Sequence, residues 1–216
     1  MKRAGIWGQL DELGFEKGCI SEAILSTTNS DGTPNASPMG VLRVGSETLE
    51  ARPFKTSTTY GNLLRDSRAC VNVTSDPSLF LVSAFKRERF EGFPGASFEG
   101  ELRLASSDAH VFVEALGHRD ISDLRCAFMF NPISVEVCRP LPRVFSRGSA
   151  EAIEAIIHAT RIEAFTREGG VDDVERLIKR FRACKDVVGR VSAPDSKEAR
   201  VIQELERLIR RWGDKK

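Results

Sequence analysis

The stretch AILSTTNSDGTPNASPMGV, residues 23–41, reads as two extended segments joined by a tight turn. Asn29-Ser30-Asp31-Gly32 supplies the turn, because Gly32 tolerates positive φ and Asp31 can hydrogen-bond to its own backbone. Val44-Gly45-Ser46-Glu47 repeats the device fifteen positions further on. Runs rich in Val, Thr, Phe and Leu predict strands over 22–28, 37–45, 48–53, 69–73, 98–105 and 133–139. No helical pattern separates the first three, so they form a meander, and the six together are expected to close into a small antiparallel barrel. Helices are expected over 58–66 and over 107–116, the second capped by Ser107 and Asp108.

The pattern changes near Pro140 and Pro142. Apolar residues then recur every three and four positions, as on one face of a helix. Over 149–167 the stripe is Ile153, Ile156, Ile157, Thr160 and Ala164, and Gly169-Gly170 ends it. Over 171–184 it is Val174, Leu177, Ile178 and Phe181, and over 196–212 it is Val201, Ile202, Leu205, Leu208 and Ile209. The reading is therefore α+β: a six-stranded barrel domain over 1–142 and an α-helical C-terminal subdomain over 143–216. Residues 141–216 hold 17 Lys and Arg against 13 Asp and Glu, leaving 15 against 18 before them. The basic end of the last helix, with Arg207, Arg210, Arg211, Lys215 and Lys216, reads as a solvated face.

The 216 residues carry a formal net charge of +1, with 41% hydrophobic and 29% charged residues. That balance excludes collagen-like and disordered chains and gives no support to a nucleic-acid partner. Apolar runs fall far short of the roughly 18 residues that a membrane-spanning helix needs. Acidic residues at 11, 12 and 16 interrupt the N-terminal segment, so a cytoplasmic protein is expected. Five dispersed cysteines without a CxxC pair read as free thiols rather than disulfides or zinc ligands.

The chemistry concentrates in Arg52-Pro-Phe-Lys-Thr-Ser-Thr-Thr-Tyr60, between a strand and a helix. A guanidinium, an ammonium, several hydroxyls and the N–H groups of a helix start together suit a phosphate dianion. The plainer alternative is that Thr58 caps the helix and the other hydroxyls face water. Residues 26–40 offer a second feature: Ala36, Ser37, Pro38 and Gly40 leave room for a flat ligand to approach the backbone, or else form a plain hairpin with a bulge at Pro38. His158 and Arg161 lie three apart on one helix and could meet an anionic ligand together. His110 and His118 form no metal-binding pair. Nucleophile elbows, P-loops and dinucleotide glycine motifs are lacking in the sequence. The loop Lys86-Arg-Glu-Arg-Phe-Glu-Gly-Phe-Pro-Gly95 is either a mobile lid or a surface excursion.

Taken together, AILST, NSDGTPNASPMGV, LEARPFKTSTTYGNL and ACVNVTSDPSLF resemble the FMN-binding split-barrel superfamily of flavin reductases and pyridoxamine-phosphate oxidases. The tail FSRGSAEAIEAIIHATRIEAF is similar to an uncharacterised, largely archaeal branch, DUF447, in which a helical segment follows the barrel. The resemblance implies FMN as cofactor, its phosphate held by Arg52, Lys55, Thr56, Ser57, Thr58 and Thr59. The ring would then lie along Asn35, Ala36, Ser37, Pro38 and Met39, with Thr27, Asn72 and Thr74 as further ring or ribityl contacts. It also implies a homodimer with the flavin at or near the subunit interface, and a nicotinamide donor or other small-molecule substrate. A pyridoxal-type phosphate substrate is not supported, because no second basic cluster stands in the quoted motifs. The function implied is a flavin-dependent oxidoreductase or flavin reductase, with a flavin-binding or accessory protein without turnover as the alternative.

Overall fold

The computed structural model describes residues 5–45, 47–86, 88, 90, 93–139, 146–168 and 171–213. Contacts divide the chain into two units, one of residues 1–74 with 96–141 and one of residues 75–95 with 142–216. The expected boundary between residues 142 and 143 lies outside the described residues, as do the Gly169-Gly170 stop and Lys215 and Lys216.

In the first unit, α1 (Ile6–Glu12) precedes β1 (Ile20–Thr28), β2 (Pro34–Val44) and β3 (Thr48–Ala51). Next come α2 (Thr58–Arg65) and β4 (Arg68–Val73). The strands β1-β2-β3-β8-β7-β4 close into an antiparallel barrel, where β7 is Ala109–Asp120 and β8 is Cys126–Val137. The first hairpin forms as its turn chemistry requires. Gly32 has φ 82, and Asp31 Oδ1 accepts from the Thr33 N–H at 3.0 Å. The interior takes alternate residues such as Leu25, Val41, Leu49, Val71, Val111, Phe128 and Phe130. Leu10 and Phe15, from α1 and the turn after it, join the same core.

Three expectations change. Residues 109–116 form part of β7 instead of a helix, with Ser107 and Asp108 ahead of the strand and not capping, because Ala109, Val111 and Val113 are buried while Glu114 and Leu116 are exposed, a period of two. Residues 98–105 do not supply a barrel strand. They fold back as β5 (Phe98–Glu99) and β6 (Arg103–Leu104) around Gly100, whose φ is 73. The last strand starts at Cys126, well ahead of 133, since the run Ala127 to Phe130 alternates against β3 and β7. The β1–β2 ladder passes through Ile24 opposite Pro38 without a bulge.

The second unit is helical: α3 (Pro77–Ala84), α4 (Arg147–Glu168), α5 (Val171–Val191) and α6 (Lys197–Gly213). Asp76 caps α3 by accepting from the Ser78 N–H at 2.9 Å, with Pro77 in the first turn. The buried stripe of α4 is Ala152, Ala155, Ile156, Ala159 and Ile162, shifted from the expected one toward small residues that let α5 pack closely. The segment after α3 is tied into this unit, Arg211 meeting Glu88 at 2.6 Å and Arg200 lying over the Phe93 ring. That anchoring concerns the described part of the expected lid; Arg87, Arg89, Glu91 and Gly92 lie outside it. Among the described residues no helix is long and apolar enough to cross a membrane.

Candidate functional site

The segment from Arg52 to Tyr60 runs from β3 into α2, and its geometry follows from capping. Ser57 is extended, and its Oγ accepts from the Tyr60 N–H at 3.2 Å. The same hydroxyl donates to the Phe54 carbonyl at 2.7 Å, fixing the turn. In an α-helix the first N–H groups have no intrahelical acceptor, so those of Thr58 and Thr59 face outward along the axis. Thr56 and Thr58 are exposed beside them. The first turn of α2 contains no acidic residue, while Arg52 and Lys55 precede it.

Lys55 pairs with Asp120 at 3.0 Å, and that hydrogen bond holds the ammonium pKa above the usual lysine range. Its backbone N–H donates to the Leu124 carbonyl at 2.9 Å, which ties the turn to the β7–β8 hairpin. Arg125 supports the same junction, donating to the Arg52 carbonyl at 3.1 Å and stacking 3.9 Å above Phe54.

Behind the turn, buried polar side chains bind α2 to the first hairpin. Asn35 Nδ2 donates to Thr27 Oγ1 at 3.1 Å and to Thr59 Oγ1 at 3.2 Å, and Thr59 Oγ1 donates to Ser37 Oγ at 3.1 Å. Asn62, which the sequence reading passed over, reaches Thr27 Oγ1 and Asn29 Oδ1 at 3.0 Å each. Its signal was positional: three residues beyond Thr59, it shares that helix face. The network rigidly sets the distance between the α2 start and β2.

β2 has an unequal pairing that bears on the site. Residues 34–42 pair with β1, but pairing with β3 begins only at Val41. The stretch from Pro34 to Gly40, which holds Asn35, Ala36, Ser37, Pro38 and Met39, therefore runs on beyond the end of β3, at a position in the sheet where proline is tolerated. Gly40 marks how close neighbours come: a Cβ there would stand 2.8 Å from Ile20 Cγ2.

The structure thus brings together Thr27, Asn35, Ser37, Thr59 and the Lys55 to Thr58 turn. Asn72 belongs to a different cluster. It is fully buried on β4, with its amide spent on Ile24, Ser26, Leu104 and His110. Thr74, just beyond β4, is 7% exposed. His158 and Arg161 lie on α4 of the helical unit. His158 is buried beside Glu154 at 3.3 Å, burial lowers its pKa, and Arg161 is exposed. Among the described residues no group of three His, Cys, Asp or Glu is placed to hold a metal.

An FMN-bound DUF447 protein from Methanosarcina mazei is similar over 91% of this chain and 99% of its own, with 27% identity and a TM-score of 0.68. The flavin reductase HpaC complexed with NADP+ aligns with 62% of this chain and 89% of its own, at 17% identity and a TM-score of 0.48. The styrene monooxygenase flavin reductase of Pseudomonas putida aligns with 56% and 82%, at 16% identity and a TM-score of 0.46. Residues 21–139 match the N-terminal domain of the protein family of unknown function DUF447, more than half of the sequence, and the chain belongs to that family.

Proposed function

We propose that this chain binds FMN at the barrel and works as a flavin-dependent oxidoreductase or flavin reductase in the cytoplasm. The observation that carries the reading is the start of α2. Cations at a helix N-terminus oppose its dipole, yet here Lys55, paired with Asp120, and Arg52, paired with Glu50, precede a first turn that has no acidic residue. Such a turn is favourable once a phosphate dianion sits on it. The likeness to an FMN-bound member of the same family over nearly the whole chain supports this.

The donor set fits the cofactor. Lys55, the Thr56 and Thr58 hydroxyls and the N–H groups of Thr58 and Thr59 would hold the phosphate, the Ser57 N–H being spent on the Phe54 carbonyl and Arg52 being engaged with Glu50. The flat ring would lie along the β2 stretch at 35–39, beyond the end of β3, and Thr27 and Thr74 are candidates for ribityl contact. Bound flavin supplies the hydride and electron chemistry, so the protein's task is to orient it and exclude water. Exposed apolar residues on the barrel, Leu116 at 65%, Ile133 at 50% and Val137 at 51%, support a homodimer with the flavin at or near its interface.

Anaerobic mixing of the flavin-loaded protein with NADH or NADPH tests the reaction. Bleaching of the flavin is expected. A protein that keeps its flavin oxidised with both donors and with other reductants of this class is a flavin carrier or accessory protein instead.

A further inference from the structure

Glu50 is a buried carboxylate on the outside of the barrel wall. Its neighbours Leu49 and Ala51 point into the core, so Glu50 points away from it, yet its side chain is only 3% exposed. Two arginines cover it. Arg52 Nε donates to Oε1 at 2.6 Å, and Arg119, from β7, donates to Oε2 at 3.1 Å across the intervening β8.

A carboxylate this buried requires a compensating charge, and one guanidinium provides it. The second leaves the group at net +1, with two like charges converging on one carboxylate. The arginine side chains are 42% and 56% exposed, so both forks keep N–H edges in solvent. The excess charge also stands beside the α2 start. The Cys126 N–H donates to the Pro53 carbonyl at 3.3 Å, and Arg125 holds the Arg52 carbonyl, joining the β7–β8 hairpin to the segment before α2. An arriving oxyanion relieves the repulsion and finds the forks already oriented, because Glu50 anchors each by one N–H.

We infer that Glu50, Arg52 and Arg119 form a second oxyanion subsite that takes the phosphate or carboxylate group of the molecule reacting with the flavin. Only the identity of that molecule as the flavin's reaction partner rests on the proposed function; the subsite itself does not.

Calorimetric titration of inorganic phosphate and of malonate into the FMN-saturated protein tests it, with Arg119→Ala and Arg119→Lys as variants. Saturable binding of at least one anion is expected. Phosphate alone marks a phosphorylated reactant and malonate alone a carboxylate. Arg119→Ala should weaken binding by about tenfold or more, and Arg119→Lys by less, since lysine keeps the charge but lacks the fork. The FMN dissociation constant should move by less than about twofold in Arg119→Ala. The inference is overturned if neither anion binds, if Arg119→Ala binds as tightly as the parent, or if FMN affinity falls in step with anion affinity. Should Arg119→Ala melt early, the Arg119→Lys titration decides. Failure of FMN to bind sinks the flavin reading alone, because the anion titration then runs on the flavin-free protein.

Discussion

Replacing Asn72 with alanine should remove a large share of the barrel's stability. Asn72 is fully buried, and its orientation is fixed because Oδ1 accepts from the Leu104 N–H at 2.9 Å. Nδ2 must then donate to the Ile24 carbonyl at 3.0 Å and to Ser26 Oγ at 2.8 Å. His110 Nδ1, 2.9 Å from the same Oδ1, must carry its proton. Alanine leaves the Leu104 and His110 donors without acceptors, each costing about 1–3 kcal/mol, and removal of the amide adds a small void. The sum is about 3–6 kcal/mol against a typical domain stability of about 5–15. The two tryptophans allow the barrel to be followed alone, since Trp7 packs on the barrel core and Trp212 lies in the helical unit, against Phe85. Urea unfolding of Asn72→Ala in a Trp212→Phe background, read by Trp7 fluorescence, gives the loss. A loss under about 1 kcal/mol refutes the reasoning, because it means that the orphaned donors stay hydrated.

Gly32→Ala forces a Cβ into the left-handed region at φ 82 and should cost the barrel about 1 kcal/mol in the same assay. Burial lowers the His158 pKa below its usual 6.5, so the unfolded chain takes up the proton first as pH falls. Stability from this ring is complete above about pH 6.5 and is lost as pH drops through that value toward the lower folded one. His158→Gln should therefore flatten the decline of the helical transition between about pH 7 and 5, read by Trp212 fluorescence; an unchanged slope contradicts this. Thiol titration under native conditions should modify Cys19 and Cys138, both exposed. Cys70, Cys126 and Cys184 should react only on unfolding, since all three are buried and burial pushes the Cys70 and Cys184 thiols up to about 12. Rapid loss of Cys70 would mean that the β1–β4 wall opens readily.

Local chemistry made much of this structure readable in advance. Asp31-Gly32 announced the first hairpin, the hydroxyls of Thr56 to Thr59 announced α2, although its cap is Ser57 and not the expected Thr58, and the tail helices followed from apolar spacing. β7 was misread because the apolar residues of Val111-Phe-Val-Glu-Ala-Leu116 also fit a helical face, and Ser107-Asp108 looks like a cap. Barrel pairing with β4 and β8 decided between the two periods. α3 carried the signal Asp76-Pro77 but was hidden in a short apolar run, and α1 was hidden by glycines and acids. At the site, the residues contiguous with the helix start were legible. Glu50 and Arg119 were not, because their partnership spans 69 positions and exists only once β3, β8 and β7 lie side by side.

Titration of FMN into the purified protein, followed by quenching of flavin fluorescence, bears most directly on whether the α2 start receives the cofactor's phosphate. Saturable binding that weakens by about tenfold in Lys55→Ala and further with Thr58→Ala added is the expected result. Flavin that stays free in the parent, or equal affinity in the parent and both variants, contradicts it.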